Sequence, residues 1–311
     1  MDFAGTYSAE VGKITSLEAT HRLADAILRD STLKGQPFRK TTEGKILDSA
    51  RVSSATGLFG TCPTALLFGV WDSTGPLGGL GTKFQRALVS ELTGVDIRDG
   101  VKPSSRIDPL GIQLNAGPLF ATDDGGWTLN EKEARKEKGK PVLLGKDGRP
   151  SEANHGNIPP TFEGNHGGIT MDHALQTVVI SLPALRRLKF PTGKKDHADA
   201  DLAARTVLAA LGLCGATLSI EAGCDLRSRC LLVPEPGQGG WEVVRVDGTP
   251  EAFAFDAATA CTLLKDAVDA AKKVGLPWME TPLVLKPSDG LAALVKKSRE
   301  LAMQSGVESE A

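Results

Sequence analysis

Apolar residues recur with helical spacing in several parts of the chain, and residues typical of helix ends bound most of these stretches. Thr15 and Glu18 form a capping box before the first stretch. Asp256 is a good N-cap for a later one, and Gly212 and Gly275 are typical stop residues. The pattern predicts helices over about 17–29, 82–94, 199–211 and 256–274, and a final helix that starts after Asp289.

Shorter apolar runs bounded by turn residues predict strands. We expect one or two strands within 45–70, ending at Val70, and a turn at Asp99 and Gly100 before a strand near Ile107. The clearest strand begins at Ile169, and its run TVVISL is typical of a buried central strand. Further strands are predicted from Thr217, Arg229 and Trp241, the last two joined as a hairpin by PEPGQGG.

The predicted strands and helices do not alternate as a regular βαβα repeat. This order indicates an α+β fold around an antiparallel or mixed sheet, not a doubly wound one. The 311 residues, of which 41% are hydrophobic, are enough for one large domain, and we expect a single domain over 1–311. Residues 121–165 differ in character, because a mixed charge run, EKEARKEKGK, precedes the turn sequences GKDGRP and NIPP. We interpret them as an inserted loop or hairpin.

The overall charge is close to zero, because 36 basic side chains stand against 38 acidic ones and the formal net charge is −2. A uniformly basic nucleic-acid binder is therefore excluded, and any such surface must be local. Tyr7 is the one tyrosine, aromatic residues make up 5% of the chain, and the aromatic RNP1 pattern is missing. Modules that read single-stranded RNA by stacking need exposed aromatic side chains. If the protein binds nucleic acid, we expect it to hold the backbone and not the bases.

Several features favour a reducing cytoplasm as the location. The chain opens without the basic segment and apolar run of a signal peptide, and no apolar segment approaches membrane-spanning length. The five cysteines are an odd number and include no C-x-x-C pair, which disfavours structural zinc and a disulfide framework.

A glycine-rich loop, WDSTGPLGGLG, leads directly into the predicted helix at 82–94. Thr82 and Gln85 form a capping box, and Gly94 closes the helix. Lys83 and Arg86 stand in the first turn, where the helix dipole disfavours cations and where a bound anion would remove the conflict. The helix start is therefore a candidate phosphate site, with a plain tight connection as the alternative. A nucleotide P-loop is excluded, because the order of Thr82 and Lys83 is inverted.

Other basic residues are candidates for phosphate contacts, with ordinary solvated side chains as the alternative. Arg51 stands close to Ser53 and Ser54 in the sequence. Lys102 and Arg106 would extend a basic line if their loop folds back over the predicted helix start. The densest basic cluster is formed by Arg186, Arg187, Lys189, Lys194 and Lys195.

The sequence shows no Ser/His/Asp or Cys/His signature of a nucleophile. His155 and His166 match no metal-binding spacing, so we expect no metal and no cofactor. A metal-dependent nuclease would need carboxylates, for which the alternative role is to cap turns. The candidates are Asp72, Asp99, Asp123 and Asp124.

Five runs of sequence together resemble a known family, and the resemblance covers about residues 15–245. They are WDSTGPLGGLGTKFQRALVSE, SRIDPLGI, GNIPP, GGITMDHALQTVVISLPALRRLKFP and LRSRCLLVP. In combination they resemble the type I-G (formerly I-U) CRISPR RAMP backbone subunit, a Cas-seven-class component of the Cascade complex. The resemblance implies a modified RRM-like, ferredoxin-like palm with an antiparallel sheet, a projecting thumb and finger-like insertions.

The resemblance also implies a function. Copies of such a subunit line up head to tail along a CRISPR RNA, hold its backbone, and leave the guide to pair with target DNA in antiviral defence. The partners implied are the RNA, target DNA, further copies of the chain, and the repeat-processing and large subunits of Cascade, without a membrane. Members of this class in type I systems are structural and not nucleolytic.

By this resemblance, Lys83 and Arg86, with Thr82 beside them, are the expected RNA contacts, and Arg51, Arg106 and Arg186 are further candidates. Two enzymatic alternatives remain open. One is a metal-dependent ribonuclease that cleaves target RNA, as in type III relatives. The other is an enzyme that binds a small phosphate-containing molecule with the same glycine loop.

Overall fold

The computed structural model describes residues 3–8, 11–15, 26–72, 83–106, 108–113, 115–156, 158–227, 230–237 and 239–304. The chain divides into two compact units. We call Met1–Glu91 together with Gln176–Ala311 the body, and Leu92–Leu175 the insert unit. The predicted insertion at 121–165 lies inside the insert unit.

The α-helices of the described residues belong to the body. In chain order they are α1 (Thr42–Ser49), α2 (Thr56–Thr61), α3 (Pro63–Leu67), α4 (Leu182–Arg186), α5 (Ala198–Ala222), α6 (Ala257–Lys273) and α7 (Asp289–Gln304). Short 3-10 turns cover Phe38–Lys40, Glu131–Glu133 and Pro150–Ala153.

The strands are mostly short and pair mainly in antiparallel fashion. In chain order, the first ten are β1 (Phe3–Ser8), β2 (Gly12–Ile14), β3 (Ser31–Leu33), β4 (Gln36–Pro37), β5 (Val70–Trp71), β6 (Lys83–Phe84), β7 (Leu88–Val95), β8 (Arg98–Arg106), β9 (Phe120–Ala121) and β10 (Trp127–Thr128). The others are β11 (Lys136–Glu137), β12 (Lys140–Pro141), β13 (Ile158–Thr170), β14 (His173–Ile180), β15 (Cys224–Arg227), β16 (Cys230–Leu232), β17 (Trp241–Val244), β18 (Pro250–Phe253) and β19 (Leu283–Pro287). Helices and antiparallel strand pairs together make an α+β fold, as predicted.

The largest sheet lies in the body and has the strand order β2-β1-β19-β3-β4. Its central strand, β19, comes from near the end of the described chain and inserts between two strands from the beginning. It runs parallel to β1 and antiparallel to β3. The sheet is therefore mixed, which is one of the two alternatives that the sequence left open.

Aromatic and aliphatic side chains from helices and loops form one core in the body. Phe38, Phe59 and Phe190 are completely buried, and the ring of Phe59 lies 5.6 Å from the rings of both Phe190 and Trp278. Each such buried side chain stabilises the fold by about 1.5–3 kcal/mol. The long helices α5 and α6 pack against each other across this core.

The helices with the strongest local signals are confirmed. Asp256 caps α6, and its Oδ1 accepts a hydrogen bond from the Thr259 N–H at 2.7 Å. Gly275 follows the helix in the left-handed conformation, with φ at 88°. The final helix is also present as α7. Residues 26–29 are helical, as expected for the end of the first predicted helix, while 16–25 lie outside the described residues.

Helix α5 is longer than predicted, because it passes through Gly212 without ending there. A Cβ atom at this position would lie 3.1 Å from the Cδ1 atoms of Leu88 and Ile180, and 3.4 Å from that of Leu67. The glycine therefore permits close packing inside the helix. The strand predicted from Thr217 is wrong, since this residue lies in the last turns of α5.

Helix α5 also corrects the expectation about apolar segments. By length and composition it is long and apolar enough to cross a membrane, alone among the helices that the structure describes. Core helices of globular proteins meet the same criterion. In the body, Ala204, Val207 and Leu208 of this helix are completely buried against the core.

The predicted helix at 82–94 is wrong. Phe84 lies in β6, and Gly94 lies inside β7, so the capping box and the helix end do not exist. Strand β7 pairs with β14, which begins only near the end of the insert unit. The side chain of Gln176 donates to Ser90 Oγ at 3.0 Å across this pair. Thr82, the proposed cap, lies outside the described residues.

The region 45–70 is mainly helical, contrary to the strands predicted there, and only β5 at its end is a strand. Thr41 caps α1, because its Oγ1 accepts the N–H of Gly44 at 3.2 Å. Pro63 opens α3 at a position where the missing N–H has no cost. These local signals were present in the sequence, but the glycines and short apolar runs between them resembled strand boundaries.

The strand expected from Ile169 is divided between the end of β13 and all of β14. The prediction of a buried central strand is wrong for β14, because β7 is its partner in a two-stranded sheet and Val179 is 54% exposed. The turn predicted at Asp99 and Gly100 is also wrong, since both lie in β8. The chain turns at Asp96 instead, with φ at 51°. Strand β8 ends one residue before Ile107, which lies outside the described residues.

The strands predicted near Arg229 and Trp241 are present as β16 and β17, but they do not form a hairpin with each other. Strand β16 pairs with β15, and β17 pairs with β18. The sequence prediction missed β15 because it follows directly on the end of α5.

The insert unit is built on the long antiparallel pair of β8 and β13. Between them, the small hairpins β9–β10 and β11–β12 follow one another. Asp108 is buried and ties together the two ends of this segment. Its Oδ1 accepts the N–H of Leu110 at 2.8 Å, and its Oδ2 accepts the N–H of Gly156.

Candidate nucleic-acid interface

The segment from α4 to Phe190 alternates buried apolar residues with exposed basic ones. Leu185, Leu188 and Phe190 are at most 6% exposed. Arg186 and Arg187 are exposed, and so is Lys189 between two of these anchors. Burial of the apolar side chains thus fixes the backbone from which the cations project.

Backbone hydrogen bonds fasten this segment to the loop that follows α1. The N–H of Lys189 donates to the carbonyl of Val52 at 2.8 Å, and the N–H of Ala55 donates to the carbonyl of Lys189 at 2.9 Å. The exposed Arg51 immediately precedes Val52. Two basic residues far apart in sequence therefore lie on adjoining backbone.

A second set of bonds joins the segment to the chain between β6 and β7. Arg187 Nη1 donates to Gln85 Oε1 at 2.9 Å, and the N–H of Ser181 donates to the carbonyl of Ala87 at 2.7 Å. Arg86 lies between these two acceptor residues and is exposed. We call the exposed cations on these three connected segments the basic surface: Arg51, Arg86, Arg186, Arg187 and Lys189.

The backbone beneath Arg86 depends on Gly69. This residue has φ at 80°, and a Cβ atom on it would lie 2.8 Å from the carbonyl oxygen of Phe84 and 3.1 Å from Arg86 Cγ. Glycine is the one residue that tolerates both the left-handed conformation and this close approach.

A buried carboxylate lies beneath the basic surface. Asp201 is 4% exposed and receives the N–H of Phe190 at 2.7 Å and Lys189 Nζ at 3.1 Å. His197 Nδ1 and Arg205 Nη2 lie 3.1 and 2.9 Å from the same carboxylate. Burial by itself would raise the pKa of Asp201, but these donors and cations outweigh it, and the pKa is lowered.

The predicted RNA contacts fall into three groups. Arg51, Arg86 and Arg186 belong to the basic surface. Lys83 lies in β6, opposite Trp71 of β5, close in sequence to that surface. Arg106 is the last residue of β8 in the insert unit. The helix dipole argument for Lys83 and Arg86 fails with the helix, so any anion here would bind to side-chain cations and not to a helix start.

The individual cations differ in their surroundings. Arg51 Nη1 donates to the carbonyls of Asp48 and Ala50, at the end of α1, which satisfies part of its guanidinium. Arg186 is exposed and takes part in none of the ion pairs between described residues. Arg186 is therefore the cation of this surface best able to accept a new anionic partner.

The acidic residues proposed for a nuclease site are buried in an ion pair, close a turn or are exposed on the surface. Asp72 is completely buried, with its Oδ2 2.6 Å from Arg39 Nη2, and Arg39 also binds Asp48. Asp124 closes a turn by accepting from the Gly126 N–H at 3.2 Å. Asp99 and Asp123 are exposed. In the part of the chain that the structure describes, no group of three or more His, Cys, Asp or Glu side chains is arranged to hold a metal ion.

Sequence reasoning missed the carboxylate that supports the basic cluster. His197, Asp201 and Arg205 are spaced four residues apart and share one face of α5. That spacing was visible in the sequence. What was not visible is that this face meets the backbone of Leu188 and Phe190.

Comparison with protein families gives one further finding. Residues 3–99 match the model of the family described as CRISPR-associated protein GSU0053.

The match indicates a CRISPR-associated protein.

The matched region covers less than a third of the 311 residues of this CRISPR-associated chain. It includes Arg51, Lys83 and Arg86, and ends before Arg106 and Arg186. A comparison with curated proteins gives no match.

Proposed function

We propose that this CRISPR-associated protein is the RNA-binding backbone subunit of a type I-G Cascade complex and has no nuclease activity of its own. In the cytoplasm, copies of it follow one another along a CRISPR RNA, with the repeat-processing and large subunits of Cascade completing the assembly. The observation that carries the proposal is the basic surface, in which exposed cations project from three segments fastened to one another.

A surface of this kind suits a strand whose sequence varies. Contacts between cations and phosphates give affinity and register but carry no sequence information. A subunit that serves many guides must leave their bases free, so that pairing with target DNA supplies the specificity. The low aromatic content of 5% agrees with this division of labour.

Assembly along RNA requires an interface that repeats without closing into a ring. Heterologous contacts of this kind generate helical filaments. A net charge of −2 allows copies to lie next to one another without strong mutual repulsion.

The test compares RNA retention by the wild type with that of a double variant, Lys83→Ala with Arg86→Ala. We expect weaker binding by the same factor for guides of unrelated sequence, because phosphate contacts are indifferent to the bases. The slope of log affinity against log salt should fall by about one unit per lost contact.

The matched control removes two exposed cations from α7, Lys296→Ala with Lys297→Ala, and should leave RNA retention unchanged. Equal losses in both double variants, or no loss in a folded Lys83/Arg86 variant, contradict the proposed RNA contacts of Lys83 and Arg86. Regularly spaced cleavage of complementary RNA by the assembled complex with Mg²⁺, abolished by Asp99→Asn or Asp123→Asn, would favour the ribonuclease alternative instead.

A further inference from the structure

The backbone on either side of Lys189 is held by side chains of α5. The N–H of Phe190 donates to Asp201 Oδ1 at 2.7 Å. The carbonyl of Leu188 accepts two hydrogen bonds from Arg205, from Nε at 3.2 Å and from Nη2 at 2.8 Å. Arg205 Nη2 also binds Asp201 Oδ2 at 2.9 Å, so the acid and the guanidinium act as one unit.

This support replaces regular secondary structure. Residues after α4 and before α5 form neither helix nor strand, yet Leu188 and Phe190 are buried. Buried backbone N–H and carbonyl groups need partners, and here Asp201 and Arg205 supply them. Lys189 adds a bond of its own to Asp201, at 3.1 Å from Nζ.

We infer that Asp201 is a positioning residue of the basic surface: it contacts no RNA, but it fixes the backbone from which Arg186, Arg187 and Lys189 reach the phosphates. This inference rests on the proposed RNA-binding function. It means that the buried negative charge of Asp201 favours the binding of RNA, which is itself a polyanion.

The direction in which RNA binding changes when Asp201 is neutralised distinguishes a positioning role from a purely electrostatic one. Asp201 lies 3.1 Å from Lys189 Nζ, so its charge by itself repels a phosphate bound there. If Asp201 acted through charge alone, its neutralisation would strengthen RNA binding. If it acts by holding the backbone, neutralisation weakens RNA binding although a negative charge is lost.

The experiment uses the full chain and a single-stranded RNA of mixed sequence. Asp201→Asn should raise the amide hydrogen exchange of the segment 186–190 and weaken RNA binding about tenfold, the size of one displaced charge-assisted contact. Val207→Ala is the matched control, because this residue is completely buried in the same helix and its apolar side chain makes no hydrogen bond to the segment. It should lower stability and leave both exchange at 186–190 and RNA binding unchanged.

A second variant covers the case in which Asp201→Asn does not fold. Arg205→Lys keeps the charge but loses the paired hydrogen bonds to Leu188, and should show the same two changes to a smaller degree. In the background of Arg186→Ala with Arg187→Ala and Lys189→Ala, either variant should have no further effect on RNA binding, since the cations that it positions are gone.

The two hypotheses fail in different ways. If Arg186→Ala with Lys189→Ala leaves RNA binding unchanged, the proposed function of this surface is overturned. If those substitutions impair binding but Asp201→Asn strengthens it or leaves it unaltered, the positioning role alone is overturned.

Discussion

Asp201 shows how one side chain can combine stability with the arrangement of a surface. Its carboxylate is buried, which is costly for a charge without partners. The Phe190 N–H and the cations around the carboxylate compensate that cost. They lower the pKa of Asp201 from the ordinary value of 3.8. Ionised Asp201 is thus part of the folded body.

The lowered pKa predicts how stability depends on pH. A carboxyl group whose folded pKa is depressed stabilises the protein above its unfolded pKa, and this contribution is lost as pH falls through the folded pKa. We expect the difference in unfolding free energy between wild type and Asp201→Asn to shrink below about pH 4. Urea unfolding at several pH values measures it. A difference that stays the same down to pH 3 would contradict the assignment.

Gly69 is the second residue on which the surface depends. Gly69→Ala should destabilise the body by about 1–3 kcal/mol, because the alanine is strained and its Cβ meets the carbonyl of Phe84. Gly35→Ala is the control, since φ is 78° there but nothing lies within 4 Å. Chemical denaturation measures the loss of unfolding free energy in both variants. The difference between the two losses gives the cost of the contact with Phe84, apart from the cost of the left-handed conformation. Equal losses of stability would show that the close approach to Phe84 is unimportant.

Elements with complete local signals were the ones that the sequence predicted well. Helix α6 has a capping aspartate, an apolar stripe and a terminal glycine, and all of them act as expected. Strand β7 has a helix-like pattern of apolar residues, but its partner β14 begins only near the end of the insert unit. A window of neighbouring residues contains no information on such a pairing, and tertiary contacts outweigh propensity.

The candidate interface likewise combines features that are local in the sequence with features that depend on long-range contacts. Basic residues can be recognised in the sequence, and Arg51, Arg86 and Arg186 were named from it. That their segments adjoin depends on backbone bonds of Lys189 and a side-chain bond of Arg187, each linking residues far apart in the chain. The anion site at a helix start was wrong because it depended on a helix that tertiary pairing replaces.

The packing of α5 against α6 predicts that two neighbouring cysteines differ in reactivity. Cys214 of α5 and Cys261 of α6 have their Sγ atoms 3.5 Å apart, with Cys214 buried and Cys261 exposed. Burial and the neighbouring thiol raise the pKa of Cys214 to about 11. In the folded protein at pH 8, we expect iodoacetamide to modify Cys261 and spare Cys214. Mass spectrometry of digested protein measures this, and comparable rates for both would contradict the packing.

At the scale of the whole chain, the insert unit interrupts the body at the paired strands β7 and β14. Ser90 and Gln176 are hydrogen-bonded to each other across β7 and β14, at the points where the chain leaves and re-enters the body. We expect that joining Glu91 to Gln176 through an Asn-Gly turn, with the insert unit deleted, leaves a body that unfolds cooperatively. Circular dichroism during thermal unfolding tests this, and a loss of helical signal at 25 °C would contradict it. A deletion that removes Ser90 and Gln176 as well is the control.

Strand β19 has a consequence for the order of events during synthesis. The strands on either side of it, β1 and β3, are synthesised before the insert unit, whereas β19 is synthesised after it. Until then each of them lacks a neighbour and presents open backbone groups on that edge, a state prone to association with other nascent chains. A ribosome that stalls before Leu283 therefore releases a product whose largest sheet is missing its middle.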